Sequence, residues 1–445
     1  MTTLWFDKAL LPTGWARSVR IQFHNGFVAR TDVGVDAQSG DERHAIAIPG
    51  LCNLHSHAFQ RAMAGLTERR GATADSFWSW RELMYRFTAK LTPDDLEAIA
   101  ALAYMEMLEG GFTSVAEFHY LHHDLDGASF ADPAEMAGRI CAAAQMTGIG
   151  LTLLPVFYAH SGFGGAAPNE GQKRFITDPD SYMTLVVACM KSLMSMDDAI
   201  LGRALHSLRA VTEGELAALT GNTALPIHIH IAEQIREVDE CIAHTGQRPV
   251  EWLLDHADVG PNWCLVHATH MTDAETARLA KSGAVAGLCP ITEANLGDGV
   301  FPASAYLANG GRFGVGSDSN VLINAHEELR LLEYSQRLMR QSRNVIADAG
   351  QSTGARLFNE ALTGGARALG VEARENTDFV TLDANHPSLV GKDGDDILDS
   401  LIFGTSGLPI DCVWRRGRKV VSGGRHKARE AIVAAYSRTL QRLLA

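Results

Sequence analysis

The chain of 445 residues lacks clustered cysteines and long apolar runs. Its seven cysteines form no CxxC pair, so we expect reduced thiols and no cysteine-rich zinc cluster. No apolar run is long enough to span a bilayer, and the start shows no basic segment followed by an apolar core. These absences favour a cytoplasmic protein with no membrane partner.

The chain also lacks an excess of positive charge. Its net charge of -13 argues against a nucleic-acid partner, although a local basic pocket for an acidic small molecule stays possible. Hydrophobic residues make up 46% of the chain and charged residues 20%, which is typical of a globular protein with a large core. Because cysteine clusters are absent, we expect histidine and carboxylate to hold any metal ion.

Eight short apolar runs alternate with segments that have helical patterns. The runs are continuous rather than alternating, as expected for parallel strands that are buried on both faces. They read HAIAIPGLCNLHSH, FTSVAEFHY, GIGLTLLPVFYAH, ILGRALHSLRAV, LPIHIHIAEQ, NWCLVHATH, GAVAGLCPI and GRFGVGSDSN. One intervening segment begins at Thr92, a helix-capping residue followed by Pro93, and ends at Gly110. This alternation predicts an α/β fold of the (β/α)8 TIM-like barrel type.

The two ends of the chain have a different pattern. SVRIQFHNGFVART contains a hairpin signal at Asn25-Gly26, and TDFVTLDA, SLIFG and CVWRRGRKVVSGG read as short strands near the other end. KAREAIVAAYSRTLQRLL predicts a terminal helix. We therefore expect residues 1–48 and 371–445 to form one small β-sandwich-like domain, and residues 49–370 to form the barrel.

Polar residues gather where the predicted barrel strands end, the edge at which barrel enzymes carry their chemistry. His55 and His57 finish the first strand, and an HxH pair on a strand can direct both imidazoles at one ion. A histidine of the fifth strand and Asp318 after the eighth could complete a metal site with an open position. Each feature alone has a simpler explanation: an HxH pair can pack in a core, and a single Asp is usually a turn or cap. Their joint placement at different strand ends favours a site.

Several stretches together resemble the amidohydrolase superfamily, and within it the formiminoglutamate deiminases of histidine degradation. The resemblance covers nearly the whole chain and rests on NLHSHAFQRAMAG, HSLRAV, HIHIAEQ, VHATH, TEANLGDG, GVGSDSN and EELRLLEYSQRL. It implies a hydrolase that converts N-formimino-L-glutamate to N-formyl-L-glutamate and ammonia. It also implies a homodimer.

The resemblance assigns roles to individual residues. The implied ligands of one divalent ion are His55, His57, His230 and Asp318. The implied catalytic residues are Glu233 as proton shuttle, His267 as a polarising residue and Asp318 as proton acceptor. The implied substrate-binding residues are Gln60, Arg81, Tyr120, His206 and Arg209. Zn²⁺ is the expected metal for this ligand set, with iron or manganese as alternatives. Two-metal members of the superfamily use a lysine on the fourth strand, and ILGRALHSLRAV has none, which favours a single ion.

The substrate implied by the resemblance is a dicarboxylate, so two cationic side chains are expected in the pocket. Arg81 and Arg209 can each clamp a carboxylate through two parallel hydrogen bonds. Without the resemblance, Arg81 would be read as a solvated helix residue, and Tyr120 at a strand end as a packing residue. Four further histidines have no predicted role: His119, His122, His123 and His160.

Two alternative functions stay open from the sequence. One is a deaminase of the same superfamily that acts on a purine or related ring amine, for which an aromatic, carboxamide-lined pocket is expected. The other is a catalytically inactive barrel that serves as a scaffold, which the complete set of metal and shuttle residues makes the weaker hypothesis.

Overall fold

The computed structural model describes residues 2–70, 76–221, 223–371 and 377–445. Its strands, in chain order, are β1 (Thr2–Leu11), β2 (Gly14–His24), β3 (Phe27–Val33), β4 (Glu42–Pro49), β5 (Leu51–Ser56), β6 (Phe112–His119), β7 (Gly150–Phe157), β8 (Ile200–Leu201), β9 (Arg203–Ser207), β10 (Ile227–Ile231), β11 (Trp263–His267), β12 (Val285–Leu288), β13 (Arg312–Val315), β14 (Phe379–Leu382), β15 (Ile410–Arg415), β16 (Arg418–Ser422) and β17 (Arg425–His426).

The helices lie mainly between these strands. They are α1 (Phe77–Thr88), α2 (Pro93–Glu109), α3 (Glu135–Thr147), α4 (Pro179–Leu193), α5 (Glu213–Thr220), α6 (Ile235–Thr245), α7 (Pro249–His256), α8 (Asp273–Ser282), α9 (Pro290–Leu296), α10 (Ala303–Ala308), α11 (Ala325–Arg340), α12 (Thr353–Ala368), α13 (Asp396–Phe403) and α14 (Arg429–Leu444). Two short 3₁₀ helices cover Ala58–Met63 and Glu170–Gln172. Within the described residues, no helix has both the length and the apolar character that crossing a bilayer requires.

The predicted barrel is confirmed. Eight parallel strands follow one another in the order β5, β6, β7, β9, β10, β11, β12 and β13, with the short β8 attached to β7. A bridge between Ser56 and Asp318 then joins the first strand to the segment after the last. Every residue of β5, β6, β7, β10, β11 and β12 is buried, which explains why these strands appear in the sequence as continuous apolar runs.

The predicted helix after Thr92 is also confirmed, with its capping residues in place. The Thr92 side chain accepts a hydrogen bond from the Asp95 backbone N–H at 3.3 Å, and the Asp95 carboxylate accepts one from the Thr92 N–H at 2.8 Å. These reciprocal bonds satisfy donors that a helix start leaves free. The predicted terminal helix corresponds to α14.

The termini form one separate sheet, as predicted. Its strand order is β17, β16, β15, β14, β4, β1, β2, β3, so the C-terminal strands form one half of a continuous ladder and the N-terminal strands the other, and the two halves meet where β14 pairs with β4. Phe23 on β2 and Phe379 on β14 lie three strands apart, about 14 Å in a flat sheet. Their ring centroids are 6.3 Å apart, so the sheet curls around an apolar cluster of its own, in the manner of a sandwich. The exact domain limits at residues 48 and 371 stay a prediction.

The hairpin predicted at Asn25-Gly26 is present between β2 and β3. Both turn residues have positive φ, 50° for Asn25 and 83° for Gly26, as a tight two-residue hairpin requires. By contrast, the strand predicted for SLIFG is wrong, because these residues end helix α13. Ile397, Leu398, Leu401 and Ile402 are all buried at helical spacing, and the short apolar run alone concealed that period.

The run HAIAIPGLCNLHSH, predicted as one strand, is divided in the structure at Gly50. Its first half is β4 of the terminal sheet, and its second half is β5 of the barrel. A Cβ atom at Gly50 would lie 2.2 Å from Cγ2 of the buried Thr113. The absence of a side chain at Gly50 therefore allows the chain to cross from one sheet to the other against β6.

We expect Gly50→Ala to lower the free energy of unfolding by about 2 kcal/mol, because the new methyl group overlaps a β-branched side chain that is buried. Denaturant titration of the purified protein measures this. The matched control is Gly138→Ala on α3, where a Cβ would meet no atom within 4 Å and where alanine favours the helix. Equal stability of Gly50→Ala and the parent protein would contradict the explanation.

Candidate active site

The barrel brings the predicted metal ligands to one point at the carboxyl ends of its strands. His55 is on β5 and His57 directly follows it, His230 is on β10, and Asp318 follows β13. All four are buried, and a set of their ligand atoms lies within 4.8 Å of one another. The strands therefore deliver four ligands from distant parts of the chain into one cluster.

The ligand atoms of this cluster lie close to one another, at distances of 3.0–3.5 Å. The Nε2 atom of His55 lies 3.1 Å from Nε2 of His57 and 3.0 Å from Nε2 of His230. The Oδ1 atom of Asp318 lies 3.5 Å from Nε2 of His55 and 3.3 Å from Nε2 of His57. Three imidazole nitrogens and a carboxylate oxygen around one point are the donor set that a divalent transition metal prefers. The residues present thus fit a single metal ion.

The surrounding main chain fixes these ligands. Nδ1 of His57 lies 2.9 Å from the Phe118 carbonyl oxygen, so Nδ1 carries the proton and Nε2 presents its lone pair to the cluster. The backbone N–H of His57 donates to the Asp318 carbonyl, and the N–H of Asp318 donates to the His55 carbonyl, both at 2.9 Å. These two bonds hold the HxH pair against the carboxylate.

The loop that carries Asp318 is further held by amide side chains. Asn320 Nδ2 donates to the carbonyl oxygens of His57 at 3.1 Å and Asp318 at 3.0 Å. Asn53 Oδ1 accepts from the Ser317 N–H at 3.1 Å. Asp318 itself has a φ of 44°, a left-handed conformation that is uncommon for a residue with a side chain and that needs such support.

Glu233 and His267 lie beside the ligand cluster. The Nε2 atom of His267 is 3.8 Å from a carboxylate oxygen of Glu233 and 3.8 Å from Oδ2 of Asp318. Its other nitrogen, Nδ1, lies 3.3 Å from an oxygen of Glu293. His267 is thus held by one carboxylate while its second nitrogen faces the site.

Burial controls the protonation of this pair. Burial raises the pKa of the Glu233 carboxyl, and Asp318 adds to the rise while His267 opposes it. Burial lowers the pKa of His267, but Glu233, the hydrogen bond to Glu293 and Asp318 together raise it above its ordinary value. Glu233 is therefore able to hold a proton, and His267 is able to act as a hydrogen-bond donor.

All five predicted substrate-binding residues line the same cavity as the ligand cluster: Gln60, Arg81, Tyr120, His206 and Arg209. The Gln60 amide donates to the Tyr120 hydroxyl at 2.9 Å, which orients both side chains. Burial lowers the pKa of His206 well below its ordinary value, and the neighbouring Arg209 adds to this, so its imidazole is neutral. Their roles in binding stay predictions.

The two arginines in the cavity have no acidic partner of their own. Neither Arg81 nor Arg209 makes an ion pair or a hydrogen bond with any residue in the described ranges, and the Nε atom of each is buried without a partner. Arg209 is only 6% exposed. The guanidinium carbons of Arg81 and Arg209 lie 4.5 Å and 5.7 Å from the ring centroid of Trp78. Glu237 and Glu233 are near enough to favour the charged form of Arg209, but neither forms an ion pair with it. One buried and one half-buried guanidinium without a direct ion pair favour an anionic ligand.

Sequence reasoning missed part of the lining. The cavity also contains apolar and aromatic side chains from α1, α9 and the segment after β7, namely Phe77, Trp80, Met84, Tyr85, Tyr158, Phe175 and Leu296. The aromatic-rich stretch FWSWRELMYRF was the available signal for the α1 group. Glu293 was missed as a partner of His267, although it lies within the quoted stretch TEANLGDG.

The four histidines without a predicted role lie outside the cavity lining. His122 and His123 lie 2.9 Å and 2.7 Å from the carbonyl oxygens of Val156 and Ile176. His160 lies 3.0 Å from Glu215, and His119 is buried with Nε2 unpaired among the described residues. The contacts of His122, His123 and His160 hold the loops that carry them in place.

Comparison with known proteins gives a consistent result. The pattern of the amidohydrolase family matches residues 46–420, and that of the family described as "Formimidoylglutamate deiminase HutF, N-terminal domain" matches residues 1–45. The chain is 49% identical to the formimidoylglutamate deiminase of Pseudomonas aeruginosa, with all of both chains covered. It is 24% identical to a 5-methylthioadenosine/S-adenosylhomocysteine deaminase of Natronomonas pharaonis, over 85% of this chain and 82% of the other.

Solved structures show the same fold. An amidohydrolase from Brucella melitensis superposes with a TM-score of 0.97 at 54% identity over the whole of both chains. An adenosine deaminase from Xanthomonas campestris, described with bound zinc, superposes with a TM-score of 0.82 at 20% identity, over 99% of this chain and 98% of the other. The second likeness shows the fold alone. The chain belongs to the amidohydrolase family.

Proposed function

We propose that the chain hydrolyses N-formimino-L-glutamate to N-formyl-L-glutamate and ammonia, a deimination in histidine degradation. The observation that carries the proposal is one cavity that holds both a buried cluster of three histidines and Asp318 and two unpaired guanidiniums. The cluster supports hydrolysis, and the guanidiniums support a dicarboxylate substrate. Similarity to the Pseudomonas aeruginosa enzyme over the full length supports the same substrate.

We infer that His55, His57, His230 and Asp318 hold one divalent ion, and that the ion is Zn²⁺. The donor set of three imidazoles and a carboxylate supports zinc, as does the zinc named for the Xanthomonas campestris relative. When bound, such an ion supplies Lewis-acid chemistry that lowers the pKa of a water molecule to about 7. Iron or manganese in place of zinc is an outcome that metal analysis distinguishes.

The chain's own residues then account for the proton transfers. Asp318 lies where its carboxylate can accept the proton of the attacking water. Glu233, whose pKa is raised by burial, can carry a proton to the formimino nitrogen, which must be protonated to leave as ammonia. His267 faces both carboxylates at 3.8 Å and can donate a hydrogen bond to the charge that develops on the reacting group. The net reaction consumes one water and releases one ammonia.

The remaining cavity residues account for substrate binding. We infer that Arg81 and Arg209 each bind one carboxylate of the glutamate moiety, since the Nε atom of each is buried without a hydrogen-bond partner among the described residues. Gln60 and Tyr120, already joined by a hydrogen bond, support one edge of the substrate. The aromatic side chains of the lining exclude water from the reacting carbon.

Two further expectations are carried as proposals. Action in the cytoplasm is supported by seven cysteines that are all free thiols. A homodimer rests on the resemblance stated from the sequence, and light scattering of the purified protein measures it.

The substrate is tested by ammonia release from N-formimino-L-glutamate beside a panel of purine and related ring amines, with and without a chelator. We expect chelator-sensitive release from the formimino compound alone. Turnover confined to a ring amine would support the alternative deaminase function, and no turnover of any compound by metal-loaded protein would support an inactive scaffold.

Removing a ligand of the cluster should remove the metal. We expect His57→Ala to bind less than about one tenth of the metal of the parent protein and to lose activity by at least about 100-fold. Elemental analysis of dialysed protein measures the metal. The matched control is His228→Gln on the same strand as His230, since Nε2 of His228 lies 2.8 Å from the Ala368 carbonyl instead of facing the cluster. Full metal content in His57→Ala would contradict the assignment.

Removing the proton carrier should leave the metal in place. We expect Glu233→Gln to lower kcat by about 10²- to 10⁴-fold, because the leaving nitrogen is then not protonated. Metal content should stay at that of the parent protein. The control is Glu240→Gln on α6, whose carboxylate pairs with Arg236 at the surface. An unchanged kcat in Glu233→Gln would exclude the shuttle role.

Two monocarboxylate analogues can assign the arginines. We expect Arg81→Gln and Arg209→Gln each to lower kcat/KM for N-formimino-L-glutamate by about 100-fold, the loss of one buried charge pair. N-formimino-4-aminobutyrate lacks the α-carboxylate, and N-formimino-norvaline lacks the side-chain carboxylate. If an arginine binds a given carboxylate, its variant and the parent protein should have the same kcat/KM on the analogue that lacks this carboxylate.

The control for the arginine variants is Arg236→Gln. Arg236 also stacks on Trp78, at 4.3 Å, but it is paired with Glu240 and its side chain is 60% exposed. It should retain parent activity. Full activity of Arg209→Gln on the dicarboxylate would exclude its role in carboxylate binding.

A further inference from the structure

A second group of metal-ligating side chains lies in the terminal sheet, outside the cavity. It consists of His44 on β4 and of Asp411 and Cys412 on β15, and one ligand atom from each lies within 4.8 Å of the others. The other groups of this kind among the described residues include Asp318 and belong to the cavity. The fold therefore places a histidine, a carboxylate and a thiol together at a position that the proposed deimination does not use.

An irregularity of the sheet builds this group. Consecutive residues of a strand normally face opposite sides. On β15, however, Cys412 pairs with Thr381 while Ile410 pairs with the next residue, Leu382, so Asp411 is an extra residue in a β-bulge. Sγ of Cys412 consequently lies 3.4 Å from Oδ2 of Asp411. Both side chains thus reach the same point, to which β4 contributes His44.

His44 is held at this point by long contacts to two carboxylates. Its side chain is 6% exposed, Nδ1 lies 3.5 Å from Oδ2 of Asp411, and Nε2 lies 3.5 Å from Oε1 of Glu42. Nε2 is buried and makes no hydrogen bond within the described chain. Both distances are longer than a normal hydrogen bond. A ligand between Nδ1 and Asp411 would account for this spacing.

The alternative is a protonated His44 that forms ion pairs with both carboxylates. The geometry opposes it, since each carboxylate oxygen lies 3.5 Å from the nearest ring nitrogen, farther than in a charge-assisted hydrogen bond. Glu42 is also neutralised by a close contact with Lys419, which lies over Trp414. A neutral imidazole with an available lone pair is the form that binds metal.

We propose that His44 Nδ1, a carboxylate oxygen of Asp411 and Sγ of Cys412 form a second metal site, which takes a thiophilic divalent cation such as Zn²⁺. Glu42 lies on the Nε2 side of His44, at 3.5 Å, the side on which metal-bound histidines commonly have a carboxylate. Asp411 is 42% exposed, so water can complete the coordination. The cation replaces the thiol proton that Cys412 shares with Asp411, and one proton is released to solvent.

The site would connect distant parts of the chain. Residue 44 belongs to the N-terminal strands of the sheet, and residues 411 and 412 belong to its C-terminal strands. A cation held by both closes a long loop, and such a link restricts the unfolded chain more than the folded one. Its role is structural, and it does not depend on the proposed deimination.

Cobalt titration of the full chain tests the proposal. Protein loaded with one equivalent of Zn²⁺ at the cavity is titrated with Co²⁺, and thiolate-to-cobalt charge-transfer absorption in the near ultraviolet is recorded. We expect one further equivalent to bind with this absorption and with release of one proton. Cys412→Ser and His44→Gln should lose the absorption and the second equivalent while ammonia release stays at the parent rate.

The matched control is Cys241→Ser on α6, a buried cysteine that lies in neither ligand group, and it should keep the second equivalent. Asp411→Asn, at a half-exposed position, should fold normally and bind Co²⁺ at least about 10-fold more weakly. Absence of a second equivalent in the parent protein would overturn the proposal. So would the same absorption in Cys412→Ser, which would place the thiolate elsewhere, for example at Cys289 beside the cavity.

Discussion

The pair of main-chain hydrogen bonds between His57, Asp318 and His55 is the interaction on which both fold and site depend. These bonds join the first barrel strand to the segment after the last one. They therefore close the barrel, and with the same atoms they bring the HxH pair beside the carboxylate that completes the ligand set. Without these hydrogen bonds the barrel would not close here, and Asp318 would not lie beside His55 and His57.

The electrostatics of the cavity follow from this closure. Several carboxylates, including those of Asp318, Glu233 and Glu293, lie together in a buried space, where isolated negative charge is unfavourable. His267 lies between them, and the ligand cluster offers a place for a cation. On the other side of the cavity, Arg209 and Arg81 each have an Nε atom that is buried without a hydrogen-bond partner among the described residues. The negative side suits a metal ion and the positive side suits an anionic ligand, so a net negative charge of the whole chain does not conflict with the proposed dicarboxylate substrate.

The sequence was sufficient for features in which one short segment carries the whole signal. Each barrel strand is buried on both faces, so its apolar run is visible without any knowledge of its neighbours. His55, His57 and Asp318 follow such runs directly, and strand ends meet at one edge of a barrel. The positions of these residues and their use in a metal site were therefore predictable, whereas the choice of His230 as the remaining ligand and the catalytic roles came only from resemblance.

Features that depend on partners distant in the chain were not predictable. Glu293 contacts His267 only because α9 follows the adjacent strand, and Trp78 meets Arg209 only across the cavity. The change of sheet at Gly50 depends on Thr113, which nothing in the run HAIAIPGLCNLHSH reveals. The strand prediction for SLIFG was wrong for a related reason. Its apolar residues are too few to distinguish a helix from a strand unless the preceding turn of α13 is considered.

The continuity of β4 and β5 gives the terminal sheet a direct connection to the catalytic centre. His44 lies near the start of this run and His55 and His57 lie at its end, with Gly50 between them. The backbone is extended on both sides of Gly50, and β4 is paired with β1 and β14. The terminal sheet therefore anchors the chain six residues before His55, the first residue of the histidine pair. The bulge at Asp411 belongs to the same sheet, in which only β14 lies between β15 and β4.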